Sequence, residues 1–184
     1  MYTKTTLFIR TLRAVTLSLA MLSTAALSEE DHDEAHESHL LEHHEGHEWE
    51  LGISIGYANL KTENEEGGNL HLHLLKRLQG DGFEKYFSVG VGAEVIVTTD
   101  NDKHYGAMVT LAVHPWRDLV LSVSPGFEWA KHEGHSWERE YATHYEAAYS
   151  FDVSENYHIG PVIGYSKTSD TEHYTVGIHI GIPL

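Results

Sequence analysis

The sequence predicts an all-β protein: an eight-stranded antiparallel up-and-down transmembrane β-barrel, preceded by a signal peptide and a disordered tail rich in His, Asp and Glu. Three observations predict it. Apolar side chains recur at every second position through eight segments from Trp49 onward, the two-residue period of a strand with one greasy face. The alternate positions carry Gly, Ala, Ser and a few charged residues, and large aromatic residues gather near the segment ends. A roughly ten-residue strand, apolar on one side and polar on the other with aromatic girdles, is what a bilayer-spanning barrel requires.

The chain opens with Lys4, Arg10 and Arg13, then an apolar run from Ala14 to Leu27, then Ala26 and Ser28 at small-x-small spacing before Glu29. That pattern predicts a signal peptide over residues 1–28, since the apolar run is shorter than the roughly 20 residues of a membrane-spanning helix. Residues 29–47 are almost wholly Glu, Asp and His, cannot bury enough apolar surface to fold alone, and are expected to form a disordered periplasmic tail. Residues 48–184 form the barrel, one domain by length.

Strand one is expected at Glu48–Leu60, where Trp49, Leu51, Ile53, Ile55 and Tyr57 alternate with small or polar residues, and strand two at Asn69–Leu78. Strands three and four, Lys85–Val97 and His104–His114, share an apolar face that includes Phe87, Val89, Val91, Tyr105, Val109 and Leu111. Strands five to eight follow at Leu119–Ala130, Arg139–Phe151, Tyr157–Ser166 and His173–Pro183. Compact breakers at Gln79–Gly82, Pro115–Asp118 and Asp152–Asn156 are the expected periplasmic turns. The four opposite loops are short, which argues against a folded adhesive lobe. One aromatic belt is expected from Trp49, Phe87, Trp116, Tyr149 and Tyr157, the other from Tyr57, Tyr105, Trp129, Tyr141, Tyr165 and Tyr174. A soluble lipocalin-like barrel would turn both belts inward and leave a glycine-rich exterior, so the membrane reading is preferred.

Composition narrows the function. The chain has no cysteine, which excludes a lipid-anchored cysteine and a disulfide framework. A formal net charge of −16 argues against nucleic acid as a partner and favours cations. Three groups of residues carry candidate chemistry. In the tail, His32, His36, His39, His43, His44 and His47 stand among carboxylates, a donor set that suits zinc first, copper or nickel next, and magnesium or calcium poorly. A short repeat, His44-Glu45-Gly46-His47-Glu48-Trp49-Glu50 and His132-Glu133-Gly134-His135-Ser136-Trp137-Glu138, adds His132 and His135 as metal candidates in an outer loop. Inside the barrel, His71, His73, Glu94, Glu128, His144 and Glu146 share inward parity; they form either paired charges that fill the lumen or a metal site. Arg77 and Glu50 are expected to pair near the inner rim.

The strand pattern resembles the small eight-stranded outer-membrane barrels typified by the OmpA transmembrane domain and OmpX. That resemblance implies outer-membrane lipid as the surroundings, the barrel-assembly machinery as a partner during biogenesis, and a monomer. The ending Ile182-Pro183-Leu184 departs from the aromatic last residue common in that group. Some small barrels act on lipid A through His, Ser and Glu on the lipid-facing surface, but here that surface carries Thr143 as a rare polar exception, and no GxSxG motif is present. The expectation is therefore a non-enzymatic outer-membrane barrel that binds transition-metal ions, zinc before others, through its periplasmic tail. A purely structural barrel, a lipid-active enzyme and a soluble binding barrel are the alternatives.

Overall fold

A computed structural model describes residues 48–116, 118–131 and 136–184; the predicted leader and tail, with their six histidines, lie outside the described residues, as do His132 and His135. The strands are β1 (Trp49–Leu60), β2 (Glu65–Arg77), β3 (Phe87–Thr98), β4 (Lys103–Trp116), β5 (Leu119–Lys131), β6 (Glu138–Tyr149), β7 (Phe151–Ser154), β8 (Tyr157–Lys167) and β9 (Glu172–Pro183). Each pairs antiparallel with its neighbour, and β1 pairs with β9 to close the sheet. β6 and β7 both pair with β8 and are two parts of one barrel strand interrupted at Ser150, so the barrel has eight.

The side chains sort as strand parity demands. Mid-strand Ile55, Val91, Val109 and Ile163 are 57–62% exposed, while Glu94, Glu128, His104 and His173 are at most 6% exposed. A water-soluble barrel would show the reverse. Moving each such Val or Ile from water into lipid is favourable by about 1.5–3 kcal/mol, which makes the outer band a membrane surface and excludes the lipocalin-like arrangement. Aromatic contacts mark both edges of that band: Trp116 with Tyr149 and Tyr149 with Phe151 at one end, Tyr165 with Tyr174 and Tyr105 with Trp137 at the other.

Three boundaries differ from those expected. β2 begins at Glu65, four residues early, because Glu65, Glu66, Gly67 and Gly68 pair with Leu60, Asn59, Ala58 and Tyr57. A polar run need not be a loop where a strand extends beyond the apolar band. The connecting turn is then only four residues, with Asn64 in the left-handed region at φ 56°, a conformation Asn tolerates. Pro115 and Trp116 remain in β4, where the pairing with β5 shifts register between Val113 and Trp116. A 3-10 turn over Phe83–Tyr86 replaces the expected start of strand three.

The β1–β9 seam is built in a particular way. Leu51, Ile53 and Ile55 face Ile182, Ile180 and Ile178 on the outside, whereas the inward pairs include Gly52 with Gly181 and Gly56 with Gly177. The lumen beside the seam is thus free for side chains from neighbouring strands.

Candidate metal centre in the barrel lumen

Among the described residues, seven histidines project inward and are buried: His71, His73, His104, His144, His158, His173 and His179. Of the lumenal residues expected from parity, all six lie inside the barrel, but they do not form one cluster. They separate into three levels.

At the rim that carries Trp49 and the end of β9, Glu50 Oε1 faces His158 Nε2 at 3.7 Å, His73 Nε2 at 3.9 Å and His179 Nε2 at 3.9 Å. These separations exceed hydrogen-bond length. The rings are held from behind. His179 Nδ1 lies 3.1 Å from Ser54 Oγ, His73 and His179 stack with centroids 5.2 Å apart, and His158 and His179 stack at 5.8 Å. A Cβ on Gly52 would lie 1.9 Å from His73 Nε2, and one on Gly181 1.8 Å from His158 Nε2, so the paired glycines of the seam make the floor on which two imidazoles rest. Four N/O ligands about 2.0–2.1 Å from a zinc ion sit about 3.3 Å apart at tetrahedral corners. Glu50 Oε1 needs to approach each ring by only about half an ångström to reach that spacing, and the donor atoms of Glu50, His158 and His179 form the compact set, with His73 standing outside it. Glu50 also lines a cavity of about 30 Å³ with Glu48, Arg77, Ser88 and His114, which opens the cluster toward the rim.

In the middle, His71 Nδ1 and Glu146 Oε2 are 3.1 Å apart, and the His71 ring meets His73 edge-on at 5.7 Å. Toward the other mouth, Glu94 Oε2 faces His144 Nδ1 at 3.2 Å and His173 Nε2 at 3.7 Å, while Asn69 Nδ2 donates to Glu94 Oε1 at 2.6 Å. His144 is oriented by Ser166 Oγ, 3.3 Å from its Nε2. Beyond this, His104 Nδ1 meets Glu128 Oε1 at 2.8 Å, and its Nε2 lies 3.6 Å from Glu63 Oε2 in the β1–β2 turn. The donor atoms of Glu50, His158 and His179, and those of Glu94, His144 and His173, each lie within 4.8 Å of one another.

Two expectations are corrected. Counting along the strands places all six lumenal residues in the middle or outer half of the barrel, yet His73 belongs to the rim cluster, because the stagger of tilted strands sets it opposite Gly52, the fourth residue of β1. Arg77 and Glu50 do not pair: Arg77 Nε donates to the carbonyl of Lys85 at 3.0 Å, and imidazoles surround the carboxylate instead. Sequence reasoning also missed His104, His158, His173 and His179 as site residues. Their parity was available, since His158 precedes inward Gly160 by two residues and His179 lies midway between inward Gly177 and Gly181.

The fold and its polar lumen define a transmembrane β-barrel of the small, eight-stranded outer-membrane type. Among solved structures, the chain is similar to Neisserial surface protein A, with a TM-score of 0.54 and 10% identity over 74% of this chain and 96% of that one. It is likewise similar to the N-terminal β-barrel domain of Pseudomonas aeruginosa OprF, with a TM-score of 0.50 and 10% identity over 76% of this chain and 100% of that one. No family model matches the sequence, and no curated protein matches it. At such identities the likeness speaks for the fold alone.

Proposed function

We propose that this chain is a non-enzymatic outer-membrane protein that binds a divalent transition-metal ion, zinc before copper or nickel, inside its barrel. The His-rich segment 29–47 serves as a collecting arm on the periplasmic side. One observation carries the reading: a single carboxylate oxygen of Glu50 faces three imidazole Nε2 atoms, each beyond hydrogen-bond length. As charge pairing this arrangement fits poorly. Protonating all three rings sets three positive charges against one negative in a narrow lumen, and protonating none leaves the carboxylate without a direct ion-pair partner, since Arg77 lines the same cavity but donates to the Lys85 carbonyl. A divalent cation bound by Glu50, His158 and His179, with its fourth position left for water or for His73 on a shift of that ring, resolves both difficulties, and the His/Glu donor set matches zinc rather than the oxygen-only ligation of calcium or magnesium. Ser54 behind His179 has the place of an outer partner that fixes a ligating ring.

The structural-barrel reading draws its support from the other mouth, where Glu94 already accepts a hydrogen bond from Asn69. Calorimetry separates the two. Zinc titrated into the folded protein, with and without residues 29–47, should show one tight equivalent that survives removal of the tail and disappears in His158→Gln/His179→Gln. Retention of that equivalent in the double variant sinks the lumenal site, and absence of any binding without the tail confines the chemistry to the tail.

A further inference from the structure

The rim cluster is not isolated. Centroids of His158 and His179 are 5.8 Å apart, His179 and His73 5.2 Å, His73 and His71 5.7 Å, which carries an imidazole file from one rim to the middle of the lumen. From there His71, Glu146, Glu94, His144 and His173 line one small cavity of about 10 Å³. His71 is therefore the junction, touching the rim cluster on one side and sharing a cavity with the distal cluster on the other.

Its ring is set up for that position. A carboxylate accepts only, so the contact between His71 Nδ1 and Glu146 Oε2 places the proton on Nδ1 and leaves the Nε2 lone pair unprotonated while the ring is neutral. That Nε2 is buried and makes no hydrogen bond among the described residues; it sits where a Cβ on Gly92 would be 3.1 Å away. Burying a nitrogen lone pair without a donor forfeits the hydrogen bond that water would have given it. A passing cation supplies what it lacks.

We infer that the lumenal histidines form a relay through which a zinc ion crosses the barrel by ligand exchange, from the Glu50 cluster through His71 to the Glu94 cluster; this rests on the metal-binding reading above. Each step makes one zinc–nitrogen or zinc–oxygen bond as another breaks. No electron moves, and neutral imidazoles and carboxylates receive the ion without releasing a proton. Eight strands leave an interior that side chains fill, so the path is a succession of coordination sites and not a water channel. Cations that coordinate nitrogen weakly should not pass.

The test uses the full protein reconstituted into phosphatidylcholine vesicles that hold a zinc-sensitive fluorophore, with a parallel set holding a pH dye. Zinc added outside should reach the lumen of wild-type vesicles and magnesium should not. His71→Leu keeps both end clusters and should lower zinc entry about tenfold, the scale of lost metal-site support, with the tight equivalent still present by calorimetry. If that variant does not fold, Glu146→Gln, which releases the His71 tautomer, should slow entry in the same direction. Wild-type protein that binds zinc but admits none overturns the relay and leaves the metal site standing, as does unchanged entry through both variants. A pH response without a zinc signal reassigns the file to protons. Loss of all lumenal zinc binding removes the metal-binding reading itself.

Discussion

The two Glu–His–His clusters share a composition and differ in how completely their carboxylates are satisfied. Glu94, buried, accepts from Asn69 at 2.6 Å and faces His144 at 3.2 Å, so it is held by the protein alone. Glu50, near the rim and 23% exposed, has three rings at 3.7–3.9 Å. The same residue types thus build one cluster whose carboxylate is already held by the protein, which suits brief passage of an ion, and another whose carboxylate is left for an ion to hold. What decides between them is the presence of a neutral amide donor, Asn69, beside one carboxylate and of two glycines beneath the rings around the other.

Exchanging each carboxylate for Leu should therefore give opposite results. Glu94→Leu strands the Asn69 amide and the His144 ring, and should cost about 3 kcal/mol in urea unfolding, the scale of a broken buried charge interaction. Glu50→Leu should cost less than a third of that while removing the tight zinc equivalent. Equal stability losses would show that Glu50 is held by its protein partners as firmly as Glu94.

The glycine floor gives a sharper cut. Gly181→Ala places its Cβ against the far end of the His158 ring, which can swing aside, so the barrel should still fold and show heat-modifiable migration. Zinc affinity should fall about 10- to 100-fold because the ring no longer aims at the cluster. A Cβ at Gly160 would instead meet the Tyr149 carbonyl oxygen at 1.7 Å, a backbone atom that cannot rotate away, so Gly160→Ala should impair folding itself. If Gly181→Ala bound zinc normally, the floor would have no part in orienting the ligands.

Smaller still is the effect of removing Ser54. Ser54→Ala frees the His179 ring and should weaken zinc about tenfold, whereas Ser166→Ala behind His144 should leave the tight equivalent untouched. Acidification should act in the same direction on any imidazole site. Protons compete with the ion for ring nitrogens, so binding is complete well above pH 6.5 and is lost as pH falls through about that value. Zinc titrations from pH 8 to pH 5 check this, and pH-independent binding would point to carboxylates instead. The smallest change belongs to the exposed Lys61–Glu172 pair, 3.1 Å apart outside both clusters, where Lys61→Gln should leave unfolding and zinc binding unchanged.

Most of the architecture is legible in the sequence because a bilayer makes strand parity nearly absolute: Val91 must face out and Glu94 must face in. What parity does not give is height. Two inward residues on different strands are neighbours only through the tilt and stagger of the barrel, which is why parity alone sets His73 in the middle or outer half while the structure puts it beside Glu50. It also does not announce that Gly52 and Gly181 face each other across the closing strands, since they lie at opposite ends of the described chain. The polar run Glu65–Gly68 was ambiguous for a different reason. Outside the apolar band, a strand loses its alternation and resembles a loop.

The seam has a consequence for assembly. Of the rim ligands, Glu50 and His73 belong to β1 and β2, and His158 and His179 to β8 and β9, so the four meet only when the first and last strands have joined. On the proposed site, an ion held by Glu50, His158 and His179 would be a clasp across the final closure, with affinity for the joined form and little for an open sheet. At a free zinc concentration 100 times its dissociation constant, that clasp adds about 2.7 kcal/mol to the closed state. If the proposed site binds metal, completion of the barrel in the membrane would become a readout of how much metal surrounds it.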